Sequence, residues 1–123
     1  MKRPPLSDMT VQELVENFAG IAMAQDEALL DRDTSKFSRL FHQMQDVSGE
    51  LKARPGDQRR ALLTLYDHPN AQVRLKAADA TLAVAPKAAR EKLKEIAESH
   101  EFPQAGDAGM ALWALEKGIS TPT

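Results

Sequence analysis

Apolar residues recur along most of this chain at helical rather than strand spacing. Leu14, Phe18, Ile21, Ala22, Ala28 and Leu29 fall near a 3.6-residue period and predict a first helix from about Val11 to Leu30. Thr10 followed by Glu13 has the form of a capping box at its start, and Gln25 interrupts the apolar stripe midway. The polar run Asp31-Arg32-Asp33-Thr34-Ser35 supplies N-cap candidates for a second helix. There Phe37, Leu40, Phe41, Met44, Val47, Ser48 and Leu51 repeat cleanly at steps of three and one, and Pro55-Gly56 stops the helix near Arg54. Gly20 and Gly49 lie inside these helices, each at a cost of about 1 kcal/mol against alanine. In an antiparallel hairpin they fall at nearly opposite heights. They either mark a close crossing of the two axes or are tolerated surface positions.

Asp57 is placed to cap a third helix, Gln58 to Tyr66, with Ala61, Leu62 and Leu65 inward. Asn70 caps an alanine-rich fourth helix from Ala71 to Ala85, whose small side chains and broad apolar surface suit the middle of a stack. Pro86 fits the first position of a fifth helix, which buries Ala89, Leu93, Ile96 and Ala97 and runs to about Ser99. Phe102-Pro103 ends it. Gly106 or Asp107 opens a sixth, carrying Ala108, Ala111, Leu112 and Leu115 and stopping at Gly118. The fold class expected is all-α, a right-handed α-α superhelix of about six helices in three hairpins. Residues 10–118 form one helical-repeat domain, with tails at 1–9 and 119–123.

The last two helices look like a second copy of the pair before them. Leu62 and Leu65 map onto Leu93 and Ile96 at an offset of 31 residues, and Ala78 and Leu82 onto Ala111 and Leu115 at 33. In the first copy, Asp67-His68-Pro69-Asn70-Ala71-Gln72-Val73-Arg74 followed by Ala77-Ala78 and Leu82 resembles the HEAT repeat. The resemblance implies that Pro69 bends the interhelical turn, that Val73 packs inward, and that Asp67 and Arg74 join a buried polar ladder between repeats. In the second copy Gly106-Asp107 stand where Val73-Arg74 do, which makes that copy a divergent terminal cap. The whole chain also resembles a family of short bacterial proteins of HEAT/armadillo shape with no assigned function. The run from Asp67 to Pro86 and the closing Phe102-Pro103-Gln104-Ala105-Gly106-Asp107-Ala108-Gly109-Met110 carry that likeness. It implies a fold and supplies no chemistry.

Composition narrows the function classes. A chain of 123 residues buries enough surface to fold without metal or disulfide, and it has no cysteine, which removes thiolate chemistry. Net charge is −2, and the charges are spread without blocks: 7 basic against 9 acidic residues up to position 56, and 9 of each beyond it. The basic footprint usual for nucleic-acid binding is missing. Met-Lys-Arg-Pro-Pro has no apolar stretch behind it, so it does not read as a secretory signal. No run approaches the roughly 20 apolar residues of a membrane span. A cytoplasmic protein is expected.

Candidate chemistry is sparse. His42 and Asp46 share a helix face at i and i+4, but two ligands do not specify a metal. His68 and His100 each fall where a helix gives way to its turn, positions suited to meeting terminal carbonyls. Asp31 and Asp33 lie in a solvent-facing loop, without the pocket an acid–base pair needs. Arg59-Arg60 is too small a patch for nucleic acid, which would require Arg39, Arg59, Arg60 and Arg74 to converge. No catalytic residue, metal or cofactor is expected. In a HEAT-like stack the second helices line the inner face, displaying Arg39, Gln43, Asp46 and Glu50, then Gln72, Lys76 and Asp79, then Asp107, Met110 and Trp113. Of these, Arg39, Gln43, Asp46, Lys76, Asp79, Met110 and Trp113 are the candidate partner-binding residues. Trp113, the lone tryptophan, either packs on a neighbouring helix or anchors a partner. A mixed-charge shallow face suits another protein as partner better than a small substrate. The expectation is a non-enzymatic interaction module (adaptor, inhibitor or immunity-type partner) with neither nucleic-acid nor membrane binding. The alternative is a small-molecule or enzyme-accessory site between the first two helices near Gln25, His42 and Asp46. Oligomeric state stays open, since stacking through Met110 and Trp113 would hide the same patch.

Overall fold

The computed structural model describes residues 4–123, and every regular segment in them is helical. Five α-helices appear: α1 (Val11–Leu30), α2 (Thr34–Ala53), α3 (Ala71–Thr81), α4 (Pro86–Glu98) and α5 (Gln104–Glu116). Two 3-10 segments, Leu6–Asp8 and Gln58–Asp67, join them, and no strand occurs among the described residues. The all-α class expected from the periodicity is what the molecule shows. The chain divides into two compact units, Met1–Ala61 and Leu62–Thr123.

In the first unit α1 and α2 form a helical hairpin. The capping box is complete: the Glu13 amide donates to Thr10 Oγ1 at 3.1 Å and the Thr10 amide to Glu13 Oε1 at 2.9 Å. At the other end of α1, Arg32 takes φ +55°, so its amide reaches the Leu29 carbonyl (3.2 Å) and the Asp33 amide the Ala28 carbonyl (2.9 Å). This is a Schellman ending with arginine where glycine is usual. Asp33 then turns its own carboxylate to the Lys36 amide (3.0 Å) and caps α2. Leu14, Phe18, Ala22 and Ala28 of α1 and Met44, Val47 and Leu51 of α2 are buried. The glycines do not mark a close crossing. A Cβ placed on Gly20 or on Gly49 would meet nothing within 4 Å, and both positions are exposed.

The third expected helix is a 3-10 helix instead. Arg59, Leu62 and Leu65 are its buried residues, and their spacing of three suits a three-residue turn as well as an α-turn. Gly56 and Asp57 precede it with φ of +78° and +52°. Asp57 does cap: its Oδ1 accepts from the Arg59 amide at 3.2 Å, and its carboxylate also takes the Arg59 guanidinium at 2.6 Å. The Arg59 hydrogen bond holds the Asp57 carboxyl below the usual carboxylate range and raises Arg59 in turn.

In the second unit α3, α4 and α5 pack around Leu75, Ala78, Leu82, Ala89, Leu93, Ile96, Ala108 and Leu115, with Tyr66 against the cluster. Asn70 caps α3 as expected, its Oδ1 accepting from the amides of Gln72 (2.9 Å) and Val73 (3.2 Å). The helix stops at Thr81, four residues short of expectation. Pro86 forces Ala85 out of the helical region (φ −145°, ψ 62°), and the Ala85 amide turns back to the Thr81 carbonyl at 2.7 Å. The Thr81 hydroxyl donates to the Ala77 carbonyl (2.8 Å) and so accepts from the Tyr66 hydroxyl (2.6 Å). α4 opens with Pro86 at its first position, as read. α5 starts at Gln104, two residues before the glycine expected to open it. It ends in a second Schellman motif, with Gly118 (φ +72°) donating to Leu115 and Ile119 to Ala114.

Candidate functional site

A groove of about 850 Å³ runs along the hairpin of the first unit. Its α1 side presents Glu13, Glu16, Asn17, Gly20, Ile21 and Ala24, and its α2 side Leu40, Gln43, Asp46 and Val47. Ile21 and Val47 are buried and form its floor, and the missing side chain of Gly20 leaves the space above that floor open. Pro4, Leu6 and Met9 of the N-terminal segment make one end. That segment is strapped down by Arg54, whose Nη2 donates to the carbonyls of Leu6 (3.0 Å) and Met9 (2.6 Å) while Nε pairs with Glu50 at 2.9 Å. Three carboxylates and no basic side chain line the groove among the described residues. The backbone hydrogen bond from Thr10, above all, holds Glu13 below the ordinary carboxylate range and keeps it anionic.

The candidate residues therefore separate. Gln43 and Asp46 line the groove, whereas Arg39 is exposed on α2 outside it. His42 is exposed, edge-on to the neighbouring Phe41 ring at 5.7 Å, while Gln25 is fully buried; the structure does not bring the two to one opening. In the second unit Lys76 and Asp79 sit a turn apart on α3, their charges 4.0 Å apart. About 37% of the Asp79 side chain reaches solvent. Its carboxyl is pushed up to about 6, by burial first and by the Asp107 carboxylate next, against the opposing pull of Lys76. Along α5, Met110 and Trp113 are 64% and 47% exposed, and Phe102 just before the helix is 70% exposed. Trp113 is thus half open to solvent rather than enclosed.

The ladder expected from the HEAT resemblance takes a different form. Val73 is buried as implied, but Asp67 is exposed, and Arg74 pairs with Glu101 at 3.0 Å. The buried polar tie between α3 and α5 is instead Gln104 Nε2 donating to Gln72 Oε1 at 2.9 Å. Gln72 was expected on a displayed face and is in the core, because α3 buries several sides at once. His68 holds the turn: its Nδ1 accepts the Asn70 amide at 3.0 Å, with Pro69 exposed between them.

Compared with known families, the chain matches the one described as "Domain of unknown function (DUF2019)", over residues 12–116. The chain belongs to this family. Its DUF2019 region takes in all five α-helices apart from the first residue of α1, hence the groove's helical walls. Among solved structures the chain is similar to the crystal structure of the protein RPA1889 from Rhodopseudomonas palustris CGA009. Identity is 54%, the TM-score is 0.94, and the match covers 98% of this chain and 100% of that one. No curated protein matches the sequence. The fold is therefore shared with a bacterial protein over nearly the whole length of both chains.

Gln43 and Asp46, expected on a partner-binding inner face, line the groove, while Leu6, Met9, Glu13, Glu16 and Gly20 were not singled out as lining residues. Residues 1–9 read as a tail because two prolines and no period were visible there. The available signal was an apolar residue, Met9, directly before the Thr10 cap, a position that often packs back on the helix.

Proposed function

We propose that this chain is a non-enzymatic protein-interaction module of the adaptor, inhibitor or immunity type, working in the cytoplasm through an open helical face. The observation that carries the reading is the groove of the first unit, open, apolar at its floor, acidic at its rim, and lined by two of the residues expected to bind a partner. Binding sites for proteins combine an apolar centre with a polar edge in this way. The exposed Met110–Trp113 stripe, with Lys76 and Asp79, is a second contact surface in this reading. We hold the hairpins to be HEAT-like in descent, supported by the Asn70 cap, the Pro69 turn and the inward Val73. The small-molecule alternative rests on Asp46 alone, since Gln25 is enclosed and His42 lies outside the groove.

The test is capture of partners from native lysate, followed by reconstitution of the purified pair. Affinity is then measured for wild type, for Gly20→Leu in the groove, and for Lys76→Glu with Trp113→Ala on α3 and α5. A loss of about tenfold in either variant supports a binding face. A reconstituted pair whose affinity ignores both faces removes the proposal.

A further inference from the structure

We propose that the groove of the first unit seats a cationic amphipathic helix supplied by a partner protein. The inference rests on the reading of this chain as an interaction module and adds the chemistry of the segment bound. Shape is the first argument. From Glu13 to Ala24 the α1 wall spans eleven residue steps, about 16 Å at 1.5 Å per residue, or three helical turns. A trough between two packed helices is the seat a third helix takes in a bundle, with its side chains set between theirs. The floor gives the register. Ile21 and Val47 lie deep, Leu40 and Ala24 partly open, and the absent side chain of Gly20 leaves room for one large apolar residue of the incoming helix.

Charge is the second argument. Glu13, Glu16 and Asp46 border the groove, and no lysine or arginine lines it among the described residues. An occupant carrying Lys or Arg beside its apolar stripe meets complementary potential, whereas an acidic segment, a phosphate backbone or an anionic lipid surface is repelled. The basic helix α4 of a second copy is not available for this seat. The basic residues of α4 (Lys87, Arg90, Lys94) flank an apolar face whose Ala89, Leu93 and Ile96 are already buried in its own core.

The probe is a synthetic peptide of about 18 residues, leucine and lysine in helical register, labelled at its N-terminus, with a counterpart carrying glutamate for every lysine. Both are titrated by anisotropy with the full chain. The lysine peptide is expected to bind wild type at least about tenfold more tightly than the glutamate peptide. Gly20→Leu adds no charge and fills the floor, and it is expected to weaken lysine-peptide binding about tenfold while its Tm stays at or above wild type. Glu16→Lys with Asp46→Lys, both at exposed positions, gives an independent loss of the same order. Lysine-peptide binding that ignores Gly20→Leu is surface attraction and overturns the proposal, as does the absence of binding by either peptide. A glutamate peptide that binds and is lost on Gly20→Leu overturns the cationic partner while leaving the groove as a binding face. Binding to anionic vesicles that is sensitive to Gly20→Leu overturns the protein partner in favour of a membrane surface.

Discussion

Asp79 carries a carboxyl pushed up to about 6, against about 3.9 for an unfolded chain. Between those values the folded state binds the extra proton, so stability rises as pH falls from neutrality through 6 towards 4, and is lost as pH climbs back. Asp79→Asn removes the ionised form that neutral pH imposes. Its Tm is expected to exceed wild type at pH 7 by about 2 °C, a modest gain because the side chain is partly solvated. The difference should vanish near pH 4, and a gain that persists there would put its origin in something other than charge. Gly20 and Gly49 are a second case of one residue deciding a local question. Open space surrounds both, so Gly20→Ala and Gly49→Ala should each raise the free energy of unfolding by about 1 kcal/mol in urea titrations. A loss at either site would restore the close helix crossing that the structure argues against.

The N-terminal 3-10 segment is held to α2 by the Arg54 fork, which satisfies two carbonyls at once. Arg54→Ala should cost about 2 kcal/mol and speed amide exchange across residues 6–9, while α1 beyond its cap exchanges as before. Lysine at this position should recover only part of the loss, since an ammonium cannot reproduce the planar fork. Equal deprotection along the whole of α1 would show that Arg54 supports the hairpin rather than the strap. These elements also show what the sequence discloses. α1 was legible to the residue because Thr10, Glu13 and the apolar stripe agree, and α4 because Pro86 can only start a helix there. The segment Gln58–Asp67 was legible as a helix but not as 3-10, since Leu62 and Leu65 are three apart in either form. The end of α3 was hidden because alanines 83 and 85 favour continuing, while the Thr81 hydroxyl and the pre-proline restriction at Ala85 end it. The Gln72–Gln104 tie could not be foreseen, because glutamine alone does not tell a core position from a surface one. The end of the groove made by Pro4, Leu6 and Met9 was missed for a related reason: an irregular segment leaves no period, and its docking through Arg54 is set by tertiary contact.

At the scale of the whole molecule, 16 basic and 18 acidic residues are balanced along the chain, and most of the ion pairs seen among the described residues are short in sequence and partly solvated. Lys92–Glu95 lies within α4, Arg54 pairs with Glu50 from the residue that ends α2, Arg59–Asp57 spans two residues, and Arg74–Glu101 leaves half of the glutamate in water. Pairs of this kind contribute from nothing to about 1 kcal/mol each, and salt screens them. Apolar burial and backbone capping carry the fold, and both depend only weakly on ionic strength in the sub-molar range. Raising NaCl from about 0.05 to about 0.5 M should therefore move Tm by less than about 2 °C. Recognition at the acidic groove has the opposite dependence. There the attraction acts between separate bodies across solvent, so the affinity for the lysine peptide should fall about tenfold over the same range. A Tm that drops in parallel with the affinity would mean that charge holds the hairpin itself together, and salt could no longer separate binding from folding.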